Sequence, residues 1–88
     1  MFWIAEQFMS FSYVYILQSV ESQRYYVGLT DDLRARLQKH NSGGVSHTSK
    51  YVPWKIKTAV AFTDRVRAAD FERYLKTASG RAFAKKRL

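Results

Sequence analysis

The chain contains no cysteine. Disulfides and thiolate metal sites are therefore excluded, and any metal must sit on oxygen or imidazole ligands. The same absence fits a cytoplasmic protein. Acidic residues are scarce as well: seven Asp and Glu stand against fifteen Lys and Arg, for a formal charge of +8 and a sequence pI near 10.1. From Leu33 to Thr63 there is no acidic residue at all. No run approaches the roughly 18 apolar residues that a membrane span requires, so no membrane partner is expected. The apolar opening, Met1–Ser10, lacks a basic n-region and is interrupted by Glu6 and Gln7, which argues against a signal peptide. Met9 is a plausible second start, and residues 1–10 are expected to form a poorly ordered extension.

The 88 residues allow a single domain, expected over 11–88, with no linker, repeat or low-complexity tract. A chain this short buries only about 60% of its unfolded surface, so it must draw its core from large side chains. Six Phe, six Tyr and two Trp provide them. The positive charge is clustered: Arg34, Arg36, Lys39, Lys50, Lys55 and Lys57 fill the acid-free stretch, and Arg81, Lys85, Lys86 and Arg87 close the chain. Such a pattern favours a nucleic-acid partner over a surface that merely aids solubility.

Periodicity sets out the elements. Tyr13 to Gln18 is an alternating β-branched and aromatic run, a strand. Ser19 to Gln23 is turn-like, and Tyr25 to Leu29 reads as a second strand completing an antiparallel hairpin. Thr30 is the expected N-cap of a helix, with Asp31 and Asp32 in its first turn; it runs to about Asn41, stopped by Asn41-Ser42-Gly43-Gly44. Val45 to Pro53 is a loop. Trp54, Ile56, Thr58, Val60 and Phe62 alternate with Lys55 and Lys57, which predicts a half-buried third strand. Thr63 and Asp64 open a second helix to about Ala78, with Ala68, Phe71, Leu75 and Ala78 as its buried stripe. Ser79-Gly80 is expected to break it, and a short third helix to follow. The order β-β-α-β-α(-α) makes an α+β fold: a small, largely antiparallel three-stranded sheet with flanking helices.

Several side chains stand where chemistry is possible. Arg36 and His40 are one turn apart, share a helix face and border the Leu33/Leu37 stripe. A guanidinium suits a phosphate because its planar fork donates bidentately and stays charged. His40 can orient water, shuttle a proton, contact phosphate, or simply be a satisfied histidine near a helix end. Tyr15 and Tyr26 come from adjacent strands that can present them on one face. A free phenol ionises near pH 10, so acid–base work would need nearby cations. Tyr13 and Tyr25 are assigned to the core. Gly28 allows close approach of backbone or substrate. Glu72 lies at the edge of its helix's stripe, where it either faces a cleft or pairs with Lys76 at i+4. The loop 41–48 and Lys39, Lys50, Lys55 and Lys57 are candidates for tracking a nucleic-acid backbone, which gives affinity without sequence reading. His47 is a loop residue. No helix-turn-helix, zinc finger or arginine-rich reader is present.

Tyr13-Val14-Tyr15 stands about ten residues before Tyr26-Val27-Gly28, followed by Arg36, His40 and, within a helix, Glu72. This set resembles the GIY-YIG nuclease family, which includes the nuclease domain of bacterial excision repair and intron-homing endonucleases, and especially its small stand-alone bacterial branch. The resemblance covers Phe11 to the C-terminus. Tyr13 replaces the first Gly of the name motif, and Val replaces Ile in both triplets. The resemblance implies that Glu72 binds the metal, that Arg36 supports the scissile phosphate, and that Tyr15 is a candidate general base with Tyr26 beside it. The implied cofactor is Mg²⁺ or Mn²⁺, a hard cation that needs one or two carboxylates and takes phosphate oxygens as further ligands. The implied function is metal-dependent endonucleolytic cleavage, of DNA ahead of RNA. Two other readings are a non-catalytic nucleic-acid-binding module of the same fold and an interaction protein for an acidic partner. A domain this small either cuts loosely or borrows specificity from a homodimer or a partner.

Overall fold

The computed structural model describes residues 10–88. The expectation of a poorly ordered extension falls, apart from Ser10, outside the described residues. Three strands form one antiparallel sheet in the order β2-β1-β3: β1 is Ser12–Ser19, β2 is Tyr25–Thr30 and β3 is Trp54–Phe62. Helices α1 (Leu33–Asn41), α2 (Arg65–Leu75) and α3 (Ala78–Arg87) flank it, with a single 3₁₀ turn at Ser49–Tyr51. The expected order and α+β class are those observed. No helix among the described residues is long and apolar enough to cross a membrane.

The central strand is covered on both faces, which is why Val14, Tyr15, Ile16 and Leu17 are buried consecutively. Pairing residues across an antiparallel ladder share a face. One face carries Val14 and Ile16, packed with Ala68 and Leu75 and flanked by Val27, Leu29, Phe62, Phe71, Ala84 and Leu88. The other carries Tyr15 and Leu17 with Trp54, flanked by Tyr26, Leu33, Leu37, Tyr51 and Val52. Thus α1 lies on the Tyr15 face, and α2 with α3 on the Val14 face. Burying a side chain such as Leu17 or Leu75 contributes about 1.5–3 kcal/mol.

Four local expectations are corrected. β3 does not keep one face throughout: the register with β1 shifts between Ile16 and Leu17, so Ile56 pairs with Leu17 while Thr58 pairs with Ile16. The extra residue, Lys57, reverses the alternation, and Trp54 and Phe62 end in different core clusters. Asp32, not Thr30, caps α1, accepting the Ala35 amide at 3.0 Å. Thr30 instead ends β2, and its hydroxyl accepts the Asp32 amide. α2 ends at Leu75, so Ala78 is exposed in the first turn of α3 rather than part of the α2 stripe. Ser79-Gly80 does not break a helix; Thr77 caps α3 through the Gly80 amide. Gly80 is required because a Cβ there would collide with the Tyr74 carbonyl of the preceding helix.

Candidate active site

The site is assembled on the Tyr15 face. Tyr15 pairs across the ladder with Gly28, and Tyr26 with Leu17, so both phenols project to the same side. Leu33 and Leu37 lay α1 over that face and carry His40 into it. The end of α1 is tied down by Asn41, whose side chain accepts the Trp54 amide at 2.6 Å and donates to the Trp54 carbonyl at 3.0 Å. His40 is completely buried and Tyr15 is 2% exposed. The rings of Tyr15, Tyr26 and His40 form a triangle, with centroids 6.3, 4.8 and 5.9 Å apart for Tyr15–Tyr26, Tyr26–His40 and Tyr15–His40. Tyr26 is the more accessible of the two phenols.

A hydrogen-bonded chain runs through this triangle. The Tyr15 hydroxyl lies 3.0 Å from His40 Nε2, and His40 Nδ1 lies 2.8 Å from Thr48 Oγ1. The Thr48 hydroxyl donates to the Val45 carbonyl at 3.2 Å, and the Thr48 carbonyl accepts the Trp54 indole N–H at 2.9 Å. Thr48 is 1% exposed. His40 is therefore a satisfied buried histidine and, at the same time, the hydrogen-bond partner of the candidate base.

Electrostatics keep this pair neutral at rest. Burial above all, then the adjacent Tyr26 phenol, pushes Tyr15 up to about 12; the Arg36 guanidinium pulls the other way and Glu72 adds a smaller push. Burial first, then the charges of Arg36 and Lys39, holds His40 below its ordinary 6.5. Arg36 is half-buried, and its side chain has neither an ion-pair nor a hydrogen-bond partner among the described residues. A cation left unpaired beside a phenol is available to an anion.

Glu72 sits on α2, across the sheet from α1. Its side chain is 20% exposed, and its Oε2 is 2.7 Å from Lys76 Nζ. Of the two sequence readings of Glu72, the structure shows the i+4 ion pair with Lys76. The structure brings Tyr15, Tyr26 and His40 into contact and carries Arg36 over the same face on α1, while Glu72 stands on the helix that covers the opposite face. Among the described residues no three His, Asp or Glu side chains cluster as metal ligands. A divalent cation here would fit only the mode in which one carboxylate oxygen is joined by water and substrate oxygens. Glu72, already holding the Lys76 ammonium on that oxygen, has the donor chemistry for it.

On the Val14 face of the sheet, across from the ring triangle, opens a groove of about 560 Å³ that reaches Tyr26 at its border. Its floor is apolar, made by Ile16, Val27, Leu75 and Ala84, and Tyr25 and Tyr26 stand at one side. Lys57, Lys76, Arg81 and Lys85 line the remainder. Of the cations proposed for backbone tracking, Lys57 lines it, together with Arg81 and Lys85 of the basic chain end; Lys39, Lys50 and Lys55 are exposed elsewhere. Tyr25 is 54% exposed and is not a core residue. Tyr13 is half-buried, as a strand tyrosine with a wet hydroxyl should be, and His47 is exposed in its loop. Sequence reasoning put Thr48 in a loop that tracks nucleic acid, whereas it is buried on His40, and it named Arg81 and Lys85 without joining them to Lys76.

Residues 11–87 match the GIY-YIG catalytic domain. The chain belongs to the GIY-YIG family. It is 38% identical over 66 residues to a UPF0213 protein of Streptococcus pneumoniae serotype 4, covering 74% of this chain and 66% of that protein. It is 37% identical over 65 residues to the structure-specific endonuclease subunit SLX1 homolog of Giardia intestinalis, covering 68% of this chain but 18% of that protein. The solution NMR structure of a UPF0213 protein from Bacillus halodurans shares the fold at a TM-score of 0.53 and 32% identity, over 85% of this chain and 80% of the other. This GIY-YIG chain thus spans somewhat under two thirds of the streptococcal protein and a small part of the endonuclease subunit.

Proposed function

We propose that this GIY-YIG chain is an endonuclease that hydrolyses phosphodiester bonds of DNA with the help of one Mg²⁺ or Mn²⁺. The observation that supports it best is the buried Tyr15–His40 pair with Tyr26 against it and the unpaired Arg36 within electrostatic reach. Phosphodiester cleavage needs an activated water and stabilised charge on the phosphate and leaving oxygen. Tyr15, hydrogen-bonded to His40, relays a proton from the attacking water. Tyr26, the accessible phenol, orients that water at the mouth of the site. Arg36 neutralises the charge that develops on the phosphate. Glu72 would hold the cation, which when bound supplies Lewis-acid stabilisation of the leaving oxygen. Lys57, Lys76, Arg81 and Lys85 would hold the substrate backbone in the groove on the other face of the sheet, where it passes the β2 edge that carries Tyr25 and Tyr26. Specificity beyond this is left to a homodimer or a partner.

The test is cleavage of supercoiled, linear and branched DNA by the purified chain with Mg²⁺ or Mn²⁺, beside Glu72→Ala and Arg36→Ala. Loss of cleavage in both variants is expected; equal turnover in parent and variants would remove the proposal. The Glu72–Lys76 ion pair favours one second reading, a nucleic-acid-binding module without turnover. Salt-sensitive DNA binding with no cleavage under either metal would establish that reading instead.

A further inference from the structure

Thr48 lies in no motif and touches none of the residues that the proposed chemistry places on the substrate. It is nevertheless among the most buried polar residues of the chain, and its hydroxyl is bonded to the ring of His40. Which hydrogen sits on which atom follows from counting donors. A threonine hydroxyl has one hydrogen and a neutral imidazole one N–H. In one arrangement His40 Nδ1–H donates to Thr48, Thr48 donates to the Val45 carbonyl, and Tyr15 donates to the free His40 Nε2. All three hydrogens are then used. In the other, Thr48 donates to Nδ1 and Nε2–H donates to Tyr15, whose own hydroxyl hydrogen is left without an acceptor among the described residues. An unsatisfied buried donor costs about 1–3 kcal/mol. The Val45 carbonyl does not suffer from the choice, since it also accepts the Thr48 amide at 3.1 Å.

We infer that Thr48 is a positioning residue that fixes His40 as the Nδ1–H tautomer and so aims an open Nε2 lone pair at the Tyr15 hydroxyl. The inference deepens the proposed hydrolysis and rests on that reading for its catalytic consequence. As Tyr15 takes a proton from the attacking water, its own phenolic proton passes to His40 Nε2. The water oxygen bonds to phosphorus, the bond to the leaving oxygen breaks, and that oxygen takes its proton from solvent. His40 afterwards hands its extra proton back to Tyr15, which releases one to solvent. With the proton on Nε2 instead, Tyr15 would have nothing to hand its hydrogen to. Thr48 is itself anchored, because the Trp54 indole holds its carbonyl, so the hydroxyl meets the ring in one orientation.

The test has a spectroscopic arm and a kinetic arm, applied to parent, Thr48→Val and Thr48→Ser. Long-range ¹H–¹⁵N correlation on the metal-free chain reads the His40 tautomer directly. Parent and Thr48→Ser are expected to carry the proton on Nδ1, and the near-isosteric Thr48→Val to lose that preference. In cleavage assays Thr48→Val should lower kcat about 100-fold, within the range a positioned acid–base group supplies, with KM changed less than about twofold. Thr48→Ser should restore turnover. A parent His40 protonated on Nε2, or a Thr48→Val protein with an unaltered tautomer, overturns the inference even if the parent cleaves DNA. A parent that cleaves nothing overturns the functional reading, and the tautomer measurement still decides what Thr48 does. Thr48→Val with altered tautomer and undiminished kcat would overturn the catalytic consequence.

Discussion

The hydroxyl end of Tyr15 lies over the bare α-carbon of Gly28, its partner across β1 and β2, in space that any other residue's Cβ would claim. Tyr15 cannot simply swing away, because its ring is buried and its hydroxyl is bonded to His40. Gly28→Ala should therefore move the phenol off His40. Overpacking of this kind costs about 1–3 kcal/mol, and the expected result is a lower Tm together with a fall in kcat of at least about tenfold. Thermal melting and single-turnover cleavage measure the two effects. An alanine variant with parental activity would show that Tyr15 does its work from a different position.

The neutral Tyr15–His40 pair predicts how stability varies with pH. His40 resists protonation in the folded chain, so the unfolded chain binds more protons as pH falls below 6.5, and stability must decline there. Tyr15 resists ionisation until about pH 12, whereas the unfolded phenol ionises near 10. Its contribution is fully present below pH 10 and is lost between 10 and 12, about 3 kcal/mol in all. Arg36 and Lys39 act on His40; Tyr26, Arg36 and Glu72 act on Tyr15. Denaturation midpoints measured across pH should form a plateau flanked by both limbs. His40→Gln should flatten the upper part of the acid limb, and Tyr15→Phe the alkaline one.

Glu72 and Lys76 form an ion pair that is partly open to solvent. Such pairs contribute about 0–1 kcal/mol. Glu72→Gln should therefore leave the melting temperature within a few degrees of the parent while abolishing metal-stimulated cleavage. Lys76→Met frees the carboxylate and should tighten Mn²⁺ binding, read by calorimetry or by paramagnetic broadening. Unchanged metal affinity in both variants would detach Glu72 from the cation.

Much of this fold was legible because local signals agreed with one another. The apolar alternation of Tyr25–Leu29, the start of β3 at Trp54 and the end of α1 at Asn41 all stand where the residues place them. What escaped depends on partners distant in sequence. The bulge at Lys57 is forced by the register with Ile16 and Leu17, and no pattern within β3 announces it. Thr30 and Asp32 are both good caps, and the choice was made by β2 extending one residue further to Thr30. Tyr15 with Tyr26, and Arg36 with His40, were legible as two pairs from strand pairing and helix periodicity, and the family resemblance joined them. Thr48 was not legible, since its role exists only once a loop folds over the end of α1.

Asn41, a helix stop in the sequence pattern, is also a clasp. Its amide makes the two hydrogen bonds to Trp54 that a neighbouring strand would otherwise make. Asn41→Ala leaves those two backbone groups without partners and should cost about 1–3 kcal/mol. Because the clasp holds the His40 end of α1 to the start of β3, the variant should also show faster amide exchange at both elements. Exchange confined to α1 would mean that Trp54 is held by its indole alone.

The groove beside Tyr26 predicts a particular salt dependence. Each phosphate neutralised by Lys or Arg adds about 0.9 to the slope of log K against log salt on duplex DNA. If Lys57, Arg81 and Lys85 follow the backbone, Lys57→Ala and Arg81→Ala should each reduce that slope by about 1 and weaken binding of all sequences alike. Lys50→Ala, whose cation lies outside the groove, should leave the slope unchanged. Fluorescence anisotropy over about 50–200 mM salt covers the range in which several such contacts shift affinity by orders of magnitude. Equal slopes for the groove variants and Lys50→Ala would place the nucleic acid on some other face of the molecule. Loss of slope in Lys50→Ala alone would put it on the α1 side, the face of Tyr15, His40 and Arg36, and leave the groove out of binding.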